Sequence, residues 1–220
     1  MGDDREGFAG LTLDGFTRLL ASAQPVPGGG SAAAVAASLA ASLTAMVARL
    51  STGRPRYAAH SGTHSRSLTV GDAARSRFLE LADEDARAYA AYAAARKLPK
   101  DTLSQQAARD GAMRSAARLA TEVPLETARL CQTLIEGIER LAGRCNVNAS
   151  SDLDVAASLT LAAARSAGAN VLVNLPAIED PELSASLVSE VERLVGYVES
   201  AASRVHAHVI ADELRAPEPG

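Results

Sequence analysis

Apolar residues recur at helical spacing along almost the whole chain. From Thr12, a plausible N-cap, Leu13, Phe16, Leu19 and Leu20 mark a first helix, which Pro25 and Pro27 stop by Ala23. PVPGGGS predicts a turn, and Ser31 is placed to cap a helix running to about Leu50. In that helix Ala33, Ala37, Ala41 and Ala45 form one row at i+4, with Ala34, Ser38 and Ser42 beside it. Every face is small or apolar, which predicts a central position. Residues 52–70 are polar and broken by Gly and Pro, so a loop or short irregular helix is expected there.

A long helix is predicted from about Gly71 to Lys97, with Phe78, Leu81, Asp85, Tyr89 and Tyr92 near one stripe, and Pro99 stops it. Residues 102–122 read as helix, Pro124 as a kink or a new start, and Leu125 to Ala142 as a continuation. GRCNVNASS is a loop, and Ser150 or Ser151 caps a helix from about Asp152 to Gly168 or beyond. The valines of NVLVNLP fit either a helical continuation or a short extended piece. Pro181 opens a last helix to about Leu214, burying Leu187, Val191, Leu194, Val198 and Val205. The expectation is an all-α, single-domain antiparallel bundle of six to eight helices over residues 12–214, with frayed ends at 1–11 and 215–220.

Composition sharpens this picture. The 220 residues are 47% hydrophobic, and 47 of them are alanine; aromatics number only seven. Alanine favours helix over strand, and a core of methyl groups requires closely approaching backbones. So thin a core also favours self-association, predicting a homodimer or larger.

Charge and cysteine usage exclude other classes. A net charge of −4 offers no basic field for nucleic acid. Cys131 and Cys145 are too few for a disulfide framework and have no neighbours at metal-ligand spacing, so no metal is expected. The acidic start MGDDREG lacks the order of a signal peptide, and a cytoplasmic protein is expected. Ala32 to Ala48 is an uncharged run approaching the roughly 20 residues of a spanning helix. Its small residues gain little from lipid, so it reads as a buried bundle helix, with no membrane. His60, His64, His206 and His208 all read as surface residues.

The common catalytic motifs are absent (HExxH, CxxC, GxSxG, GxGxxG and the phosphate-loop lysine). Four features remain. Gly28, Gly29 and Gly30 before a helix leave backbone N–H groups at the positive end of a dipole, an anion site or simply a tight turn. Asp85 lies in an otherwise apolar helix, at the rim or in a polar site; its neighbour Glu84 fits a solvated face. Lys97 and Lys100, the chain's two lysines, flank Leu98–Pro99, either complementing a helix C terminus or binding a carboxylate. Finally, Asn146, Asn148, Ser150, Ser151 and Asp152 are more polar groups than a helix cap requires, and Asn170 and Asn174 are more than packing of an apolar stretch demands.

Five blocks carry a family resemblance: PVPGGGSAAAVAA, ADEDARAYAAYAAARKLPK, EVPLETA, NVNASSDLDVAA and GANVLVNLPAIED. In this order they resemble the formimidoyltetrahydrofolate cyclodeaminase and methenyltetrahydrofolate cyclohydrolase family, from about Leu13 to Glu190. The resemblance implies an all-helical, metal-free enzyme, dimeric or higher, that uses a tetrahydrofolate derivative as substrate and holds no permanent cofactor. A formiminotransferase would be a separate domain or chain. The family pattern puts its glycine turn at Pro27 to Ser31, its helical acid at Asp85, its Leu-Pro-Lys at Leu98 to Lys100, its Ser-Asp at Ser151–Asp152 and its paired asparagines at Asn170 and Asn174. Two stretches depart from it. Gly143 to Asn148 reads GRCNVN where the family has Gly-Asn/Asp-Pro-Asn, and residues 53–75 are poor in charge and in helical period.

Such a substrate suits these residues. Lys97, Lys100 or the amides of Gly28 to Ser31 would hold an anionic glutamyl tail. Asn148, Ser151, Asn170 and Asn174 suit the amide-like edges of a pterin. Cyclodeamination needs an acid for the leaving amine and a base for N10–H, and Asp85 and Asp152 are the carboxylates expected to divide those roles. Cyclohydrolysis shares the methenyl species and remains the alternative; a non-catalytic helical scaffold is the further one. The enzymatic reading expects all these groups to line one crevice.

Overall fold

The computed structural model describes residues 7–218 and is all-helical there. Six α-helices follow in order: α1 (Leu13–Leu20), α2 (Gly29–Ser51), α3 (Ser61–Arg96), α4 (Leu103–Leu141), α5 (Ser150–Asn174) and α6 (Pro181–Ala211). Successive long helices from α2 to α6 pack on one another, and α5 returns against α2. Helix α2 is therefore central, as its uncharged faces predict. Helices α2 and α5 are both long and apolar enough to cross a membrane by length and composition; most of the α2 stretch is buried in the bundle.

Small residues set the spacing. Gly71 of α3 sits where an added Cβ would lie 2.9 Å from the Ala41 carbonyl and 3.0 Å from the Ala45 backbone nitrogen. The two helices meet almost backbone to backbone, which is what the alanine row of α2 permits. One core gathers Phe78, Leu81, Leu134, Ile138, Leu153 and Val198; a second gathers Leu125, Val171, Ile178, Leu187 and Leu194 nearer the α3–α4 turn.

Several expectations change. The segment 52–70 is not a loop: a short 3-10 turn covers Pro55–His60 and α3 begins at Ser61. Thr63, His64 and Ser67 are turned inward there, with Ser67 Oγ donating to the Gly137 carbonyl at 3.1 Å and His64 Nε2 2.8 Å from the Arg144 carbonyl. His60 and His64 are accordingly 3% and 1% exposed, contrary to the surface reading.

Pro124 does not break α4, which runs unbroken through it. Ser31 does not cap α2; Gly28 occupies that position and Ser31 is buried in the first turn. NVLVN continues α5 as helix, because Val171 is buried in the second core.

The ends are ordered as far as they are described. Phe8 stacks edge-on against Phe16 at 5.6 Å, and its N–H donates to Asp83 Oδ1 at 2.8 Å. At the other end Arg215 N–H donates to the Gly143 carbonyl and Arg144 Nε to the Ala216 carbonyl, both at 2.7 Å. The remaining residues of the two expected frayed ends lie outside the described ones.

Candidate functional site

A crevice of about 330 Å³ opens where the N terminus of α2, the middle of α3 and the C terminus of α5 meet. Its walls include Gly28, Gly29, Gly30, Asp85, Asn170 and Asn174. Tyr89, Tyr92, Val26 and Val173 add apolar surface at its sides. That combination of apolar wall and few converging polar groups is the usual form of a small-molecule site.

Asp85 is held at the foot of α2. Ser31 Oγ lies 2.9 Å from Asp85 Oδ2 and 2.9 Å from the Ala82 carbonyl. The Ser31 backbone N–H also donates to the Asp85 carboxylate. Asp85 thus caps α2 from a neighbouring helix, in place of the side chain that Gly28 lacks. Gly30 is required for this: a Cβ there would collide with the Asp85 carboxylate.

Burial pushes the Asp85 carboxyl above the ordinary carboxylate range, and the two Ser31 hydrogen bonds only partly oppose it. The hydrogen count accommodates either protonation state. Ser31 has one hydroxyl proton for two acceptors, the Ala82 carbonyl and Asp85. Protonating Asp85 supplies the second donor, so that Asp85 O–H donates to Ser31 Oγ while Ser31 O–H donates to Ala82. A carboxyl raised by burial is suited to proton transfer.

Asn174 is positioned by a proline. Pro124 has no N–H to give the Ala120 carbonyl four residues back. Asn174 Nδ2 donates to that carbonyl at 2.7 Å. Half of the Asn174 amide is thereby committed to structure, which fixes the plane of the group inside the crevice. Asn170 lies one turn earlier on α5 and lines the same wall.

The other sequence candidates lie elsewhere in this chain. Pro27 is buried beneath the glycine turn, and Ser31 is reached only through Asp85. Lys97 and Lys100 are exposed beyond the end of α3 and do not line the crevice. Asp152, Ser151 and Asn148 sit at the opposite end of α5, ~27 Å from Asn170 by helical rise. One chain therefore does not join Asp85 and Asp152 in a single crevice, because its helices run nearly the full length of the bundle.

Much of the polar surplus near Asp152 has a structural use. Asn146 Oδ1 accepts from Asn148 N–H, Asn146 N–H donates to Ser51 Oγ at 2.8 Å, Val147 N–H donates to Tyr57 Oη, and Ser150 Oγ donates to the Val147 carbonyl. The Ser51 bond ties the turn to the C terminus of α2, and the Tyr57 bond ties it to the 3-10 turn at Pro55–His60. The Asp152 carboxylate and the Asn148 amide make no side-chain hydrogen bond among the described residues and stay available. A pocket nearby, lined by Tyr57, Cys145, Val147, Ser150 and His208, holds only about 30 Å³, the space of a water molecule. Cys131 and Cys145 are free and buried; burial raises their thiols to about 12 and about 11, so both are unreactive.

Sequence reasoning placed Tyr89 and Tyr92 on the stripe of Asp85 without assigning them to a site. The signal was there: four and seven residues beyond Asp85 they face the same way.

A family model described as formiminotransferase-cyclodeaminase matches residues 12–193. The chain is similar to a methenyltetrahydrofolate cyclohydrolase of Methylorubrum extorquens, 32% identical over 198 residues, which cover 90% of this chain and 95% of that protein. It is also similar to the formimidoyltransferase-cyclodeaminase of Sus scrofa, 34% identical over 190 residues, covering 86% of this chain but only 35% of that longer protein. Among solved structures, a formiminotetrahydrofolate cyclodeaminase of Thermotoga maritima matches with a TM-score of 0.83 and 27% identity, over 91% of this chain and 96% of that one.

Proposed function

This chain belongs to the formiminotransferase-cyclodeaminase family, and from that premise we propose that it closes 5-formimidoyltetrahydrofolate to 5,10-methenyltetrahydrofolate with release of ammonia. N10 attacks the formimidoyl carbon, forming the N10–C bond, and the C–N bond to the amine breaks. The departing nitrogen gains two protons, one lost by N10 and one from Asp85. Attack within one molecule needs little beyond correct positioning, so the protein's task is to hold the pterin and move protons. Asn170 and Asn174 face the pterin edge, and the orphan amides of Gly29 and Gly30 add a positive end of dipole.

The observation that carries this reading is a half-buried Asp85 carboxyl on the crevice wall, pushed up by burial and held 2.9 Å from Ser31 Oγ. Releasing an amine demands an acid, and Asp85 is one. The second reading, methenyltetrahydrofolate cyclohydrolase, is favoured by the relative of that name, which this chain matches over 95% of its length. There a base must activate water, and Asp152 is the candidate.

A second copy of the chain reconciles the two carboxylates. One side of α2 carries Val35, Leu39, Leu43 and Met46 with no charge; Leu39 is 53% exposed and the other three are half-buried at the edge of the core. Val155 of α5 is exposed as well. Uncharged apolar surface of this kind marks a protein interface. Two copies paired antiparallel through α2 and α5 about a two-fold axis set the crevice end of one beside the Asp152 end of the other. Asp152 of the partner subunit then faces Asp85. Action in the cytoplasm is proposed, with a formiminotransferase on another domain or chain as a source of the substrate.

The test is spectroscopic. Incubation with 5-formimidoyltetrahydrofolate should produce the absorbance of the methenyl species. Hydrolytic loss of that absorbance without its production from the formimidoyl compound would select the cyclohydrolase. Neither change, with no binding of a reduced folate, would leave a helical scaffold.

A further inference from the structure

We infer that Arg96, the last residue of α3, receives the glutamyl carboxylates of the folate, with Tyr89 and Tyr92 flanking the aminobenzoyl ring on the way to it. The inference rests on the folate reading above and names the subsite that reading leaves empty. Of the obvious cations in the sequence, Lys97 is turned from the crevice by helical phase and Lys100 lies in the loop beyond α3; neither lines the crevice.

The phase of α3 fixes the direction of Arg96. Each residue turns an α-helix by about 100°, so Arg96, eleven residues beyond Asp85 and seven beyond Tyr89, projects within ~20° of both. Lys97 is rotated ~120° from Asp85 and faces elsewhere. Asp85, Tyr89, Tyr92 and Arg96 therefore form one ladder, whose first three members already line the crevice. The rise of 1.5 Å per residue puts Arg96 ~16 Å from Asp85 along the helix. A pterin, an aromatic ring and an amide in line fill such a span.

The chemistry of the rungs follows the same order. Asp85 is polar and half-buried, Tyr92 is half-buried, Tyr89 is 48% exposed and Arg96 is exposed. An acid group, then aromatic faces, then a cation match a pterin, a benzoyl ring and a carboxylate. The Arg96 guanidinium has no acidic partner among the described residues, whereas Arg77 of the same helix and Arg114, Arg118 and Arg129 of α4 are paired with Glu or Asp. Arg109 approaches it from α4, donating to the Arg96 carbonyl at 3.3 Å and adding positive charge at the same tip. A cation in the last turn also complements the helix dipole, but Lys97 would serve that purpose equally and does not need the ladder's phase.

The experiment is a kinetic comparison of wild type, Arg96→Ala and Arg96→Lys. It uses the tetrahydrofolate substrate that the wild type turns over and the same compound lacking its glutamate. Arg96→Ala should raise KM for the full substrate about tenfold with kcat unchanged. Arg96→Lys should recover part of the loss, because it keeps the charge but not the fork. For the truncated substrate the three proteins should share one KM. An equal KM rise on both substrates, no rise on either, or a larger rise from Lys97→Ala would overturn the assignment. A wild type that neither binds nor converts any reduced folate would sink the folate reading itself, and is recognised before any variant is made.

Discussion

The side-chain amide of Asn174 makes the hydrogen bond that Pro124 cannot. Its Nδ2 donates to the Ala120 carbonyl, which a proline at position 124 leaves without its helical N–H. Pro124→Ala restores the N–H and frees the amide. The expected result is unchanged or higher melting temperature with reduced kcat/KM. Asn174→Ala, by contrast, strands a carbonyl and should cost about 1–3 kcal/mol in urea unfolding. That cost should shrink in the Pro124→Ala background, and an additive double mutant would refute the coupling.

Gly30 and Asp85 compete for one volume. Alanine in a helix normally stabilises by up to about 1 kcal/mol over glycine, but at position 30 its Cβ would displace the Asp85 carboxylate. Gly30→Ala should therefore gain no stability and lose about a hundredfold in kcat, the scale of a misplaced catalytic group. Wild-type turnover in this variant would remove Asp85 from the chemistry.

The raised Asp85 carboxyl has a stability consequence with a definite sign. A group whose folded value lies above its unfolded one favours folding while protonated. Its contribution is full below the ordinary carboxylate value of 3.8 and is lost as pH climbs through the raised one. Asp85→Asn keeps the donor to Ser31 and cannot ionise. Relative to wild type, the variant's melting temperature should rise as pH increases from 3.8 upward, while its turnover is lost. A difference that is flat with pH would show that Asp85 is not perturbed.

The proposed pairing of Asp85 with the partner's Asp152 has a complementation test. Asp85→Asn and Asp152→Asn should each be folded and inactive. Refolded together, they form hybrids in which one site has both native carboxylates, giving about a quarter of wild-type activity for a two-fold dimer. Absence of any recovery in a verified hybrid would place both carboxylates outside a common site.

The close crossing of α2 and α3 predicts sensitivity where there is no chemistry. Gly71→Ala forces its methyl against the Ala41 carbonyl and Ala45. It should destabilise the chain by about 1–3 kcal/mol, read from chemical denaturation.

Local chemistry alone was enough to read the helices, the all-α class and the small-residue rows that bring backbones together. Periodicity and alanine content act over a few residues and are written along the chain. The same is true of the resemblance, and of the shared direction of Asp85, Tyr89 and Tyr92, since helical phase follows from counting. The tertiary structure decided what counting cannot reach. Residues 61–70 became helix because Ser67 and His64 find carbonyl partners on α4 and the turn after it. Pro124 stayed within a helix because a side chain 50 residues away serves its orphan carbonyl. Asp152 left the company of Asp85 because α5 is a straight rod that separates its two ends. Which distant groups meet depends on how rigid helices dock, and no interval in the sequence encodes that distance.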